Sequence, residues 1–217
     1  MNFKDRRILV TGGAGFIGSE VTSQLIKMGS NVTVLDNFSS GKKNYLPKSK
    51  HLKIIKGDIR DQTVVKKALK NQEGVIHLAA LPFIPDSFFY PGDFFDVNTN
   101  GSVNMLWNAI KSKTVETFVH ISTSAVYGSA QFVPMDENHP TTPHSTYAVS
   151  KLAGDDWETI LTMLFTDIEN EDHLFALKLA LFEMDVIKKS KAKKKKTDLR
   201  KAKTKIEVLK IAIQFIK

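Results

Sequence analysis

The stretch that decides the fold is residues 6–29, RRILVTGGAGFIGSEVTSQLIKMG. Its apolar run from Ile8 to Val10 closes on Thr11, Gly12 and Gly13, the pattern of a buried strand meeting a tight turn. Ile17, Val21, Leu25 and Met28 then recur with a helical period, and Gly29 closes the helix. Between strand and helix, Gly12, Gly15 and Gly18 stand three apart. A glycine turn in that position lets backbone N–H groups approach a pyrophosphate at the positive end of a helix. The spacing G-x-x-G-x-x-G differs slightly from G-x-G-x-x-G, and it is the strand–turn–helix context that gives it meaning. Asp36 ends a second predicted strand, Val32 to Leu35. A carboxylate there can accept hydrogen bonds from both hydroxyls of an adenosine ribose and would repel a 2′-phosphate, so NAD is expected rather than NADP.

The pattern continues outward from this unit. LKIIKGD (52–58) reads as a third strand, VVKKALK (64–70) as a helix and GVIHLAA (74–80) as a fourth strand. VNTNGSVNMLWNAIKS (97–112) reads as a long helix and ETFVHISTSAVYG (116–128) as a fifth strand. Short apolar strands alternating with helices predict an α/β fold, a doubly wound parallel sheet of the Rossmann type. Residues 1–157 are expected to form this NAD-binding domain. Residues 158–217 read as a divergent, mainly helical and basic segment: a residual strand at 174–182, a basic stretch at 188–205 and a terminal helix at 204–216.

Composition narrows the remaining classes. The hydrophobic share of 42% and charged share of 25% are ordinary for a soluble globular chain. With no cysteine there is no disulfide, thiolate nucleophile or zinc–thiolate site, and no metal is expected. No apolar run is long enough for a membrane span, and the N-terminal apolar run is too short for a signal peptide, so the protein reads as cytoplasmic. The net charge of +8 is uneven: residues 186–217 hold 13 of the 31 Lys and Arg but only two acids, leaving 18 basic and 21 acidic residues before them. Polyanion binding is therefore an expectation for the tail alone. A lysine block without interleaved aromatics grips phosphates but does not read bases, so no specific nucleic acid is expected.

Tyr147 and Lys151, in TYAVSK (146–151), lie one helical turn apart on one face. That spacing suits a surface pair, and equally a phenol held near a positive charge that favours its phenolate. The motifs TGGAGFIG, DNFSSGKKNYL, GDIRD, HLAA, VNTNG, ISTSAVYG and YAVSKLAGD occur in one order over residues 6–157. Together they resemble the extended short-chain dehydrogenase/reductase family, specifically the NAD-dependent nucleotide-sugar epimerases and dehydratases of the UDP-glucose 4-epimerase kind.

The resemblance implies roles. Gly12, Gly15, Phe16, Ile17 and Gly18 would line the pyrophosphate; Asp36 and Asn37 would hold the adenosine ribose. Asp58 and Ile59 would flank the adenine, while Leu78, Ala79 and Ala80 would run along the back of the cofactor and Asn98 would sit near it. Thr123, Tyr147 and Lys151 would be catalytic, with Tyr147 taking a proton from a sugar hydroxyl, Lys151 favouring the phenolate and bonding the nicotinamide ribose, and Thr123 donating to the reacting oxygen. Hydride passing to NAD and back to the opposite face of the keto-sugar would invert the carbon. Family dehydratases tend to carry a glutamate two residues after the threonine; Ala125 stands there and transfers no proton, which tilts the reading to a 4-epimerase. The substrate implied is a UDP- or dTDP-sugar, and a homodimer is compatible with the resemblance. The family continues into a substrate domain that this chain does not show, so it reads as truncated. A non-catalytic NAD-binding module is the second function class.

Overall fold

A computed structural model describes residues 3–165. The expected residual strand, basic stretch and terminal helix of the C-terminal segment lie outside the described residues. Among the described residues, five strands form one sheet: β1 (Arg7–Thr11), β2 (Asn31–Asp36), β3 (Leu52–Lys56), β4 (Gly74–His77) and β5 (Thr117–His120). All pairings are parallel, in the order β3-β2-β1-β4-β5. The helices are α1 (Phe16–Lys27), α2 (Gln62–Leu69), α3 (Ile84–Phe89), α4 (Pro91–Phe94), α5 (Ser102–Ser112) and α6 (Thr146–Phe165). This is a Rossmann-type doubly wound fold.

Alternation along the strands explains the two-sided burial. Ile8, Val10, Val32 and Val34 point to one face, where Leu25 of α1 packs. Leu9, Leu35 and Val75 point to the other, against Val65 and Leu69 of α2 and Met105 and Ala109 of α5. Both faces are covered, which is why the strands read as near-continuous apolar runs rather than as an apolar–polar alternation. Each fully buried aliphatic side chain contributes about 1.5–3 kcal/mol.

Chain order reverses between β1 and β4, which are sheet neighbours although β2 and β3 intervene in sequence. Ligands in such sheets bind outside the carboxyl ends of the strands at this switch point. The turn there is compact. Gly12 has φ +65°, and a Cβ on it would lie 2.8 Å from the Ala79 nitrogen. A Cβ on Gly18 would lie 2.1 Å from the Gly12 carbonyl oxygen, so side chains are excluded at both positions.

Three expectations change in detail. The fourth strand ends at His77, before LAA. The fifth ends at His120, and Ser124–Tyr127 form a 3-10 turn instead. The single long helix from Val97 is in fact a π-helical segment, Phe95–Gly101, running into α5. One local bond and two tertiary contacts favour the wider turn. Ser102 Oγ donates to the Asn98 carbonyl at 2.7 Å, Thr99 Oγ1 donates to the Ser150 carbonyl at 2.8 Å, and Gly101 passes so close to Ile59 that a Cβ would meet its Cδ1 at 2.6 Å. None of the helices among the described residues is long and apolar enough to cross a membrane.

Candidate functional site

A cavity of about 830 Å³ opens at the switch point. Gly12, Gly15, Phe16, Ile17 and Gly18 form one wall. Gly15 is the N-cap of α1 and supplies no side-chain cap, so the first-turn N–H groups remain for a ligand. Phe16 is 92% exposed and Ile17 is 61% exposed, so both sit at the lip rather than in the core.

Asp36 and Asn37 form the end of the cavity beside β2. Asp36 is buried; its Oδ2 accepts from the Ala14 N–H at 2.9 Å and its Oδ1 from the Phe38 N–H at 2.8 Å. Two backbone donors fix the carboxylate plane, and each oxygen keeps a lone pair for an incoming hydroxyl. The Ala14 bond ties the acid at the end of β2 to the glycine turn, and the Phe38 bond fixes it to its own loop.

Asp58 and Ile59 line the same end, with Arg60 beside them. Arg60 was not singled out from the sequence, and the structure makes it the centre of a network. Its Nε donates to Asp58 Oδ1 at 2.9 Å, one terminal nitrogen to Asp58 Oδ2 at 2.8 Å and the other to Asp96 at 2.8 Å. The guanidinium hydrogen bond lowers the Asp58 carboxyl to about 2. An acid whose folded value lies below its ordinary 3.8 adds stability above that pH and loses it as the pH falls towards 2. Arg60→Ala is expected to cost about 1 kcal/mol at neutral pH, a modest figure because solvent screens the pair. Urea denaturation at pH 7 and pH 3 checks this: the deficit should shrink at the lower pH, and an equal deficit at both contradicts it.

Leu78, Ala79 and Ala80 line the cavity with Leu81, and Leu78 and Ala79 pack against Gly12. Asn98, Thr123, Tyr147 and Lys151 are not among the residues that line the cavity. Asn98 is fully buried behind the wall; its Oδ1 accepts from the Leu81 N–H at 2.8 Å and its Nδ2 donates to the Leu81 carbonyl at 3.1 Å. It thus holds the Leu81 backbone at both ends. Thr123 caps the 3-10 turn, its Oγ1 accepting from the Ala125 N–H at 3.3 Å, which leaves its own O–H to donate. Tyr147 and Lys151 lie in the first two turns of α6. Tyr147 stands edge-on to Phe94 with ring centroids 6.4 Å apart. Lys151 is buried, and its Nζ donates to the Ile121 carbonyl at 2.6 Å, beyond the end of β5. A second tie between β5 and α6 escaped sequence reading: Asp155 lies 3.0 Å from His120 Nε2 and accepts from the Ser122 hydroxyl.

A glycine turn, a two-donor-fixed acid at the end of β2 and a switch-point cavity together define a dinucleotide-binding domain of the Rossmann class. Within that class, the family model for GDP-mannose 4,6 dehydratase matches residues 9–208, and the chain belongs to this family. A putative UDP-glucose 4-epimerase of Methanocaldococcus jannaschii is 38% identical over 161 residues, covering 73% of this chain and 52% of that protein. The structure of a UDP-N-acetylglucosamine 4-epimerase from Methanobrevibacter ruminantium M1, in complex with UDP-N-acetylmuramic acid, superposes with a TM-score of 0.72 at 33% identity, covering 76% of this chain and 53% of that one. The Bordetella bronchiseptica enzyme WbmG, in complex with NAD and UDP, superposes with a TM-score of 0.66 at 32% identity, covering 72% and 50%. The chain spans about half the length of the curated relatives it matches.

Proposed function

We propose that this chain binds NAD in the switch-point cavity and carries the proton-transfer residues of a nucleotide-sugar 4-epimerase, with a UDP- or dTDP-sugar as substrate. The observation that supports it most is the fixed carboxylate of Asp36, bonded to the glycine turn through the Ala14 N–H at the edge of a cavity of dinucleotide size. Gly12, Gly15 and Gly18 let the backbone approach the pyrophosphate; Asp36 and Asn37 receive the adenosine ribose; Asp58 and Ile59 bracket the adenine. Leu78, Ala79 and Ala80, backed by Asn98, form the wall along which the rest of the dinucleotide runs. NAD, when bound, supplies reversible hydride acceptance.

The chain's own residues handle the proton. Tyr147, as phenolate, removes it from the sugar hydroxyl, and Lys151 one turn later supplies the positive charge that favours this form. Thr123 donates its hydroxyl hydrogen to the same oxygen. Ala125 supports the epimerase over the dehydratase, because a methyl group offers no acid to an elimination. A non-catalytic NAD-binding module is the second reading, favoured by Thr123, Tyr147 and Lys151 lying outside the lining of the cavity. The two separate in one experiment: calorimetry for NAD, followed by conversion of UDP-galactose to UDP-glucose. NAD affinity with conversion supports the epimerase; affinity without conversion supports the module; absence of both removes the proposal. A homodimer belongs to the same reading, supported by the exposed Phe88 and Phe89 of α3 and the adjoining Tyr90. Sedimentation velocity tests it.

A further inference from the structure

His77, the last residue of β4, is 1% exposed, and both of its ring nitrogens are engaged. Nδ1 lies 2.6 Å from Thr11 Oγ1 and Nε2 lies 2.9 Å from Ser102 Oγ. The proton positions follow from counting. The Asn98 carbonyl is only an acceptor, so the single hydrogen of Ser102 points to it, at 2.7 Å. Ser102 therefore accepts from His77, and the proton sits on Nε2. Nδ1 is left with a lone pair, which receives the Thr11 hydroxyl hydrogen. The Thr11 oxygen in turn accepts the Leu78 and Ala79 N–H groups, each at 3.2 Å. An imidazolium would break this order, because Thr11 would face three N–H donors with no acceptor for its own hydrogen. Burial, helped by nearby His120 and Lys151, holds the imidazole well below the usual histidine range, in the same direction.

The chain does not stop at Asn98. The Asn98 amide grips Leu81 in the cavity wall and donates to Ser150 Oγ at 3.1 Å. Ser150 Oγ donates to the Tyr147 carbonyl at 2.8 Å, and the Ser150 carbonyl accepts from Thr99. Thr11, His77, Asn98, Ser102, Thr99 and Ser150 are all buried. One directed set of bonds thus runs from the strand before the glycine turn, through the π-helical segment, to the helix bearing Tyr147 and Lys151.

We infer that His77 is a positioning residue: as a neutral Nε2–H imidazole it sets the π-helical turn at Asn98 and, through it, both the Leu81 wall of the cavity and the first turns of α6. It touches neither substrate nor cofactor. The inference rests on the dinucleotide reading only for its effect on affinity; its structural part can be read without ligand.

The test uses the full 217-residue chain as wild type, His77→Phe, Ser102→Ala, the double variant and His77→Gln. Imidazole ¹⁵N spectra of the wild type should show the neutral Nε2–H tautomer at neutral pH. The Leu81 amide should exchange its hydrogen about tenfold faster in His77→Phe and in Ser102→Ala, with the amides of Leu9 and Val34 unchanged. The double variant should exchange no faster than His77→Phe, since both changes cut one chain. Glutamine reaches the Nε2 position and donates to Ser102, so His77→Gln should restore most of the protection. NAD dissociation constants should follow the same order, with a loss of about tenfold for the Phe and Ala variants. An Nδ1–H tautomer, additive effects, or wild-type protection of Leu81 in a folded His77→Phe would overturn the inference. Should His77→Phe not fold, Ser102→Ala removes a single oxygen and decides the matter through the same amide. A wild type with the expected tautomer and exchange pattern but no NAD affinity upholds the positioning role and refutes the cofactor reading instead.

Discussion

Tyr147→Phe is expected to remove epimerase turnover, by about 10²–10⁴-fold for loss of a positioned acid–base group, while leaving NAD affinity within about twofold. The separation follows from what the substitution deletes. The ring and its edge-on contact with Phe94 remain, and only the phenolic oxygen goes. The helix itself is held by bonds that do not involve that oxygen: Asn98 to Ser150, Thr99 to Ser150 and Lys151 to Ile121. Steady-state kinetics with NAD calorimetry on the same samples measures both quantities. Lys151→Ala should behave differently and weaken both. It removes the charge one helical turn from Tyr147 and strips the Ile121 carbonyl of its donor, a loss of about 1–3 kcal/mol. Normal turnover in Tyr147→Phe would remove the base assignment.

The second large effect concerns the cofactor's 2′ position. Two unit charges about 4 Å apart at an effective dielectric near 20 interact by about 4 kcal/mol. Even half of that, about 2 kcal/mol, corresponds to a roughly 30-fold preference for NAD over NADP. Asp36 is well placed to impose it, because the Ala14 and Phe38 N–H groups hold its carboxylate in one orientation. Asp36→Asn should reduce the preference to a few-fold. It should also cost about 1–3 kcal/mol of stability, since one amide oxygen replaces two carboxylate oxygens before two backbone donors. Equal affinities of the wild type for the two dinucleotides, measured calorimetrically, would contradict the role of Asp36.

What was legible in the sequence is what one-dimensional spacing encodes. The run Ile8–Val10, the glycines at 12, 15 and 18, and the helical repeat from Ile17 each report a local requirement, and the structure forms β1, the turn and α1 there. Asp36 was legible because its place at the end of a strand is local too. The π-helical segment was not, since its cause lies in partners far along the chain: Ser150 for Thr99, Ile59 against Gly101, His77 for Ser102. Periodicity over 97–112 looks the same for a four-residue and a five-residue turn. Arg60 was hidden for a similar reason. GDIRD shows Asp58 and Arg60 two apart, but nothing local says that Asp96 completes the network. His77 stood inside the expected strand GVIHLAA with nothing local to mark it, and its role appears only when β1, β4 and α5 come together. Asp155, one turn after Lys151, likewise gained meaning only beside Ser122 and His120.

The central claim is that the site oxidises one carbon of a nucleotide sugar and returns the same hydrogen to it. A UDP-hexose carrying deuterium at C4 tests this directly, with the chain supplied with NAD and the product examined by NMR. The account predicts the C4 epimer with deuterium still at C4. Deuterium at C6 of a 4-keto-6-deoxy product would show a dehydratase, and deuterium lost to water would show inversion by proton exchange; either result contradicts the account.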